Sequence, residues 1–209
     1  MHQHCGWWAG GPVRRIQNPT ESELREIRRI AGESFAGDEL FRELGEGAER
    51  TERIMVYMSH YVDYCVACGM LFGNDEDNGF VAISDSRSEH PLATARLFRK
   101  LKRALPRREY RALNAFSEQV ATPPLPYAGY AHLEMLMLCV DAPQRGRGLG
   151  RELVEYSQSM ADREGLPLLV DTDMPGNCEM YQHLGCELYN TTTAKNGVTR
   201  YNLVYKPWD

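Results

Sequence analysis

Six residues, Arg145-Gly146-Arg147-Gly148-Leu149-Gly150, sit between an apolar run from His132 to Val140 and a stretch whose Leu149, Leu153, Ser157 and Met160 recur at helical spacing. A strand that passes through a glycine-rich turn into a helix N-terminus aims unpaired backbone N–H groups and the positive end of the helix dipole at one place, which suits a phosphate or diphosphate. Gly146, Gly148 and Gly150 let the backbone approach such an anion closely and take dihedrals that side chains resist. A turn of purely structural purpose is the other reading. Two nucleotide motifs are incomplete here. No Lys-Ser or Lys-Thr follows the glycines, as a P-loop requires, and they run GxGxG, not GxGxxG, with no second βαβ half behind them. Upstream, Glu134 interrupts the apolar run. In strict alternation it shares a face with Leu136, Leu138 and Val140, where burial raises a carboxyl pKa, although an exposed strand start would also hold a glutamate. Downstream, Asn177 and Tyr181 stand one helical turn apart and so share a face; a helix N-cap and a core tyrosine are their structural alternatives.

The elements that must position these groups can be read from periodicity and punctuation. "VRRIQ" (Val13 to Gln17) alternates like a short strand. Thr20 then starts a helix as N-cap, with Glu23 closing a capping box and Leu24, Ile27, Ala31 and Phe35 on the inner face. Ile54, Met58, Tyr61, Val62 and Cys65 mark a second helix. Two strands over about 69–73 and 79–84 follow, joined by a turn at Asp75, Glu76 and Asp77 that is either a solvated tip or a selector of cationic substrates. Residues 91–119 read as basic and helical with a break near Pro106, a pattern that fits a solvated face or contact with a phosphate. Residues 121–130, with three prolines, a glycine and the tyrosines Tyr127 and Tyr130, form a loop suited to the wall of a pocket. The run at 132–140 is apolar on both faces, hence central in a sheet. A helix ending near Gly165, a buried strand at 166–172, a short helix closed by Gly185 and a hairpin turning at Lys195-Asn196-Gly197 complete the chain. The fold class is therefore α/β (α+β), with a central sheet of about six to seven strands flanked by helices.

The chain has 209 residues, enough for one domain over 13–209, with residues 1–12 read as a flexible N-terminal tail. Twenty-four basic against 29 acidic side chains give a net charge of −5. That balance argues against nucleic acid or an anionic membrane as a general partner. No segment approaches a membrane span or a signal peptide. Six scattered cysteines in apolar contexts suit free thiols in a reducing compartment, and the cytoplasm is the expected location. Cys65 and Cys68 form a CxxC without a second pair at ligand spacing, so no metal is expected there. His2, His4 and Cys5 offer a weaker metal alternative to the plain tail.

At Arg145 to Gly150 the sequence resembles the GNAT superfamily of acyl-CoA-dependent N-acyltransferases, whose signature is Q/R-x-x-G-x-G/A. "LEMLMLCVDAPQRGRGLGRELV" is followed at the expected distance by "LPLLVDTDMPGNCEMYQHLGCEL", with Cys186 where the family usually has Phe. The resemblance spans about residues 130–206 by motif and 13–85 by element order, while 86–130 match no family motif. It implies a mixed, mostly antiparallel sheet and acetyl-CoA as co-substrate. The CoA diphosphate would rest on Arg145, Gly146, Arg147, Gly148, Leu149 and Gly150. Leu138, Cys139 and Val140 would pair with the pantetheine like a further strand, and Asn177 would contact it.

The chemistry it implies is transfer of an acetyl group to a primary amine by direct attack in a ternary complex. An alkyl amine of pKa ~10 is only about one part in a thousand neutral at pH 7, so a base matters. Glu134, in register with the catalytic glutamate of several family members, is the candidate base, directly or through water. A backbone N–H at a bulge near Val140 would hold the carbonyl oxygen. Tyr181 would donate to the departing thiolate. Tyr127, Tyr130 and Asp171 are candidate acceptor contacts, with Asp173 either beside them or on an exposed loop. A small cationic amine is the favoured acceptor. A protein or peptide amine, and a non-catalytic acyl-CoA-binding module, remain open, as does pairing into a homodimer.

Overall fold

The computed structural model describes residues 13–121 and 130–207. Tyr127 and the tail at 1–12 lie outside the described residues. The described chain forms seven strands: β1 (Val13–Arg15), β2 (Leu71–Asn74), β3 (Gly79–Asp85), β4 (Leu133–Val140), β5 (Leu168–Thr172), β6 (Glu187–Thr193) and β7 (Thr199–Tyr205). They make one mixed sheet in the order β1-β2-β3-β4-β5-β7-β6, antiparallel throughout except for the central β4–β5 pair. Six α-helices flank it: α1 (Glu21–Phe35), α2 (Gly47–Ala67), α3 (Pro91–Ala104), α4 (Arg107–Gln119), α5 (Leu149–Glu164) and α6 (Pro175–His183). Among the described residues no helix is long and apolar enough to cross a membrane.

Local chemistry accounts for the elements. α1 begins with the capping box expected at Thr20 and Glu23, each side chain bonding the other's backbone N–H. The break at Pro106 separates α3 from α4, since proline lacks the N–H a continuous helix would need. Gly165 closes α5 at φ 62°, in the left-handed region where glycine carries no Cβ penalty. Two apolar clusters lie on either side of the sheet. One gathers α1, α2 and α4 around Ile30, Phe41, Leu44, Ile54, Val62 and Phe116; the other packs α5 and α6 through Leu153, Val154, Ala161 and Tyr181.

Two departures from regular sheet geometry create the site. β4 pairs with β5 only through Leu133, Glu134 and Met135, opposite Leu168, Leu169 and Val170. Beyond that point β4 stays with β3 while β5 continues along β7, so the two parallel strands part and a cleft opens between them. Within the β3–β4 ladder, Ala82 faces Met137 but Ile83 faces Met135, leaving Leu136 as an extra residue. This bulge breaks the alternation expected from sequence, because inserting one residue exchanges the two faces. Glu134 does not share a face with Leu138 and Val140. Leu136, Met137 and Cys139 join the α1/α2 cluster, whereas Leu133, Met135, Leu138 and Val140 join the α5/α6 cluster. The ladder is regular at Val140, opposite Gly79, so the bulge expected there sits four residues earlier.

Candidate active site

The glycine turn is built as an open anion cradle. Gly146 and Gly148 have φ of 76° and 91°, the left-handed region that favours glycine. An added Cβ at Gly146, Gly148 or Gly150 would meet nothing within 4 Å, so the space above the turn is free for a ligand. No side chain caps α5, and its first backbone bond runs from the Glu152 N–H to the Gly148 carbonyl. The N–H groups of the preceding turn are thus left to an external acceptor. The turn is pinned on both sides. Asp141 donates its N–H to the Asn78 carbonyl at 2.8 Å and takes an ion pair from Arg29 at 2.9 Å. The Arg145 guanidinium donates to the Val140 carbonyl and to Ser34 Oγ, both at 3.1 Å, which leaves its backbone facing the turn. Arg147 donates to Gln144 at 3.2 Å.

A groove of about 400 Å³ runs from this turn along β4 to α6, walled by Leu138, Cys139, Val140, Arg145, Gly146, Leu149 and Gly150. A second cavity, about 290 Å³, lies at the mouth of the β4–β5 cleft. Ser34, Leu138, Asn177 and Tyr181 line both, so the two spaces meet at those four residues. Asn177 and Tyr181 share a face of α6 as their spacing requires. The N-cap of that helix is Met174, not Asn177, which occupies its third position. Tyr181 is 5% exposed, and its hydroxyl finds no hydrogen-bond partner among the described residues. Burial, with the nearby Cys186 and Asp38, pushes the phenol well above its ordinary pKa, so it is a neutral donor facing the junction.

The second cavity is acidic. Asp38, Glu134, Asp171 and Asp173 line it, with Arg200 as its cation among the described residues. Arg200 bonds Asp173 through both oxygens, at 2.7 and 2.8 Å, and stands 3.7 Å from Asp171. Asp173, for which an exposed loop was open, is 5% exposed within this pair. Burial works against the Arg200 charge, but the Asp173 bonds and the charges of Asp171 and Asp38 outweigh it and hold its pKa above the usual value. Asp171 is fixed by Asn202, which donates from Nδ2 at 2.6 Å. Glu134 has no hydrogen bond from a described group. Burial first, then the charge of Asp171, raises its carboxyl pKa, against weaker opposition from His132 and Arg200. Burial likewise raises Asp171 and Asp38.

Several of these groups were not found from sequence. Asp38 caps a short 3₁₀ turn at Glu39–Leu44 by accepting from the Leu40 N–H at 2.9 Å. A cap signal was legible, but not its approach to β5. Arg200 lies near the start of β7 opposite Thr192, with its side chain 16% exposed, a degree of burial at which a guanidinium needs carboxylate partners. Ser117 shows that α4, from the segment without a recognised motif, closes one wall. Tyr130 is 70% exposed and lines neither space. The acidic turn at Asp75 to Asp77 borders the Arg147 side of the glycine turn, with Asp77 paired to Arg14, and does not reach the acceptor cavity.

The thiols are not poised to react. Cys139 is 2% exposed, and burial pushes its pKa up to about 12; Cys186 is pushed up to about 11 for the same reason. Neither is a thiolate at neutral pH. Among the described residues no group of three or more His, Cys, Asp and Glu is arranged to hold a metal ion.

Comparison with known proteins matches this arrangement. The family model "Acetyltransferase (GNAT) family" covers residues 25–186. A histone acetyltransferase HPA2-related acetyltransferase from Corynebacterium glutamicum superposes with a TM-score of 0.64 at 15% identity, over 96% of this chain and 98% of the other. A mosquito arylalkylamine N-acetyltransferase like 5b gives 0.55 at 12% identity, over 93% and 99%. An agmatine N-acetyltransferase gives 0.53 at 17% identity, over 93% and 98%. A search of curated protein sequences gives no significant match. With the family model spanning most of the chain, and an uncapped glycine turn and splayed central strands to match it, this protein belongs to the GNAT family of acetyltransferases.

Proposed function

We propose that this protein moves an acetyl group from acetyl-CoA to the primary amine of a small cationic molecule by direct attack within a ternary complex. The observation that carries the reading is the junction at Ser34, Leu138, Asn177 and Tyr181, where an anion-binding groove meets an acidic cavity. The diphosphate rests on the backbone of Arg145 to Gly150, and the pantetheine follows β4 past Val140 and Leu138 toward Asn177. An ammonium group entering the other side meets carboxylates that burial has made more basic than usual. Glu134 takes one proton from it, directly or through a water. The neutral nitrogen attacks the thioester carbon, the C–S bond breaks, the second nitrogen proton passes to the departing sulfur, and an amide and CoA thiol form. The carbonyl oxygen is held at the Leu136 bulge, whose extra residue lacks a partner on β3 and lies in the cavity wall. Tyr181 donates to the sulfur, so that the leaving thiolate takes up charge beside a hydrogen-bond donor.

Buried, neutral cysteines support direct transfer over an acyl-cysteine intermediate. The acceptor cavity, about 290 Å³ in volume and lined by four carboxylates, supports a small cationic molecule over a peptide chain. The test is to mix the protein with acetyl-CoA and a panel of amines and to follow free thiol. Thiol release that depends on an amine supports the reading. No release, with the melting temperature unmoved by acetyl-CoA, overturns it. Stabilisation by acetyl-CoA without turnover would identify a binding module instead.

A further inference from the structure

The acceptor cavity carries more negative charge than one amine can answer. Its four carboxylates outnumber its one guanidinium by three. Arg200 is already engaged by protein carboxylates, with Nε and Nη2 bonded to the two Asp173 oxygens within 2.8 Å and Nη1 3.7 Å from Asp171. If Glu134 serves as base, the single Arg200 charge is shared among Asp173, Asp171 and Asp38, which leaves the cavity negative. Asp38 and Asp171 are both held in place. Asp38 is tied to the Leu40 N–H at 2.9 Å, and Asp171 to Asn202 at 2.6 Å, and each bond fixes an oxygen at the cavity wall. Burial weighs on all three groups, and each also feels a neighbouring carboxylate, Asp173 for Asp38 and Asp171, and Asp171 for Glu134. A second positive charge in the ligand would relieve that repulsion, whereas a neutral tail would leave it and a carboxylate tail would add to it. An independent sign that this space is built for a ligand is Tyr181, a side chain 5% exposed that lines the junction with no hydrogen-bond partner for its hydroxyl among the described residues.

From this charge arrangement we infer that the acceptor is a dication, a short diamine or guanidino-amine, whose reacting amine meets Glu134 while its distal cation is held by Asp38 and Asp171. The inference rests on the acetyl-transfer reading and narrows its substrate class. It assigns Asp38 and Asp171 to specificity, and it excludes amino acids whose only remote group is a carboxylate.

A matched series of equal chain length tests it: butane-1,4-diamine, butan-1-amine and 4-aminobutanoate, each assayed for thiol release with acetyl-CoA in low salt. The expected order of kcat/KM is diamine, then monoamine, then amino acid, with at least a tenfold step between the first two. The step should shrink as salt screens the site. A monoamine or amino acid used as well as the diamine overturns the inference while leaving acetyl transfer intact. The variant Asp38→Asn/Asp171→Asn should bring the ratio of diamine to monoamine close to one; an unchanged ratio would overturn the assignment of those two residues. Calorimetry of butane-1,4-diamine binding to the CoA-loaded protein separates this inference from the reading beneath it. Saturable binding that butan-1-amine does not match supports the dication site even if no amine is turned over, and equal or absent binding of the two overturns it.

Discussion

Replacing Glu134 with Gln removes a carboxylate while keeping its shape, and the consequence follows from proton accounting. An alkylammonium of pKa ~10 is about one part in a thousand neutral at pH 7, and general-base catalysis is worth on the order of 10²–10⁴-fold. Glu134→Gln should therefore lower kcat/KM for the amine by about 10²–10³ at pH 7. Raising the pH should recover about tenfold per unit until the free amine titrates. In the unaltered protein the acid limb of the profile lies above the usual carboxylate range. Burial and Asp171 raise the Glu134 pKa, so the unreactive protonated form persists to higher pH. Glutamine has no such limb. Acetyl-CoA affinity should be unchanged, because Glu134 lines the acceptor cavity and not the groove beside the glycine turn. Steady-state rates over pH 5–10, with acetyl-CoA titrated calorimetrically, measure both quantities. A variant that keeps its rate at pH 7, or whose acid limb is unmoved, would refute Glu134 as the base.

Three other substitutions probe separate parts. Tyr181→Phe should lower kcat by about 10- to 100-fold with the CoA dissociation constant and melting temperature nearly unchanged, since the hydroxyl has no protein partner to lose; steady-state kinetics beside a thermal melt read this. Gly148→Val should raise the KM for acetyl-CoA and cost about 1–2 kcal/mol of stability, because a side chain at φ 91° is strained and would intrude on the open space above the turn; kinetics and chemical denaturation check the two effects. Asp38→Asn should keep the cap on Leu40 yet gain stability relative to the unaltered chain as pH rises. The raised Asp38 pKa means that the folded state holds its proton longer than the unfolded one. The native carboxylate's contribution is thus full below its unfolded pKa and lost as pH climbs through the folded value. Paired melts at pH 4 and pH 8 should show the difference growing, and a constant difference would count against it.

What could be read from sequence was mostly local. The capping box at Thr20, the break at Pro106, the glycine turn and the Asn177/Tyr181 spacing each depend on a few adjacent residues, and the structure places them as their chemistry requires. The acceptor side was poorly legible because it depends on distant segments meeting. Asp38, Asp171, Asp173 and Arg200 come from three parts of the chain; the β5–β7 pairing joins the last three, and the cleft where β4 leaves β5 opens onto them. The bulge at Leu136 carries no distinctive residue, so strict alternation put Glu134 on the wrong face relative to Leu138 and Val140. The turn at Asp75 to Asp77 could be read as a solvated tip or as a selector of cations; the acidity that faces the acceptor cavity comes from other carboxylates.

In the proposed reaction the glycine turn and the acidic cavity serve two halves of a single transfer. A crystal structure of the protein with CoA tests this most directly: the diphosphate should lie within hydrogen-bond distance of the Arg145 to Gly150 N–H groups and the thiol at the junction, against Tyr181 and facing Glu134. A CoA whose thiol points away from that junction, or whose diphosphate binds elsewhere, would contradict it.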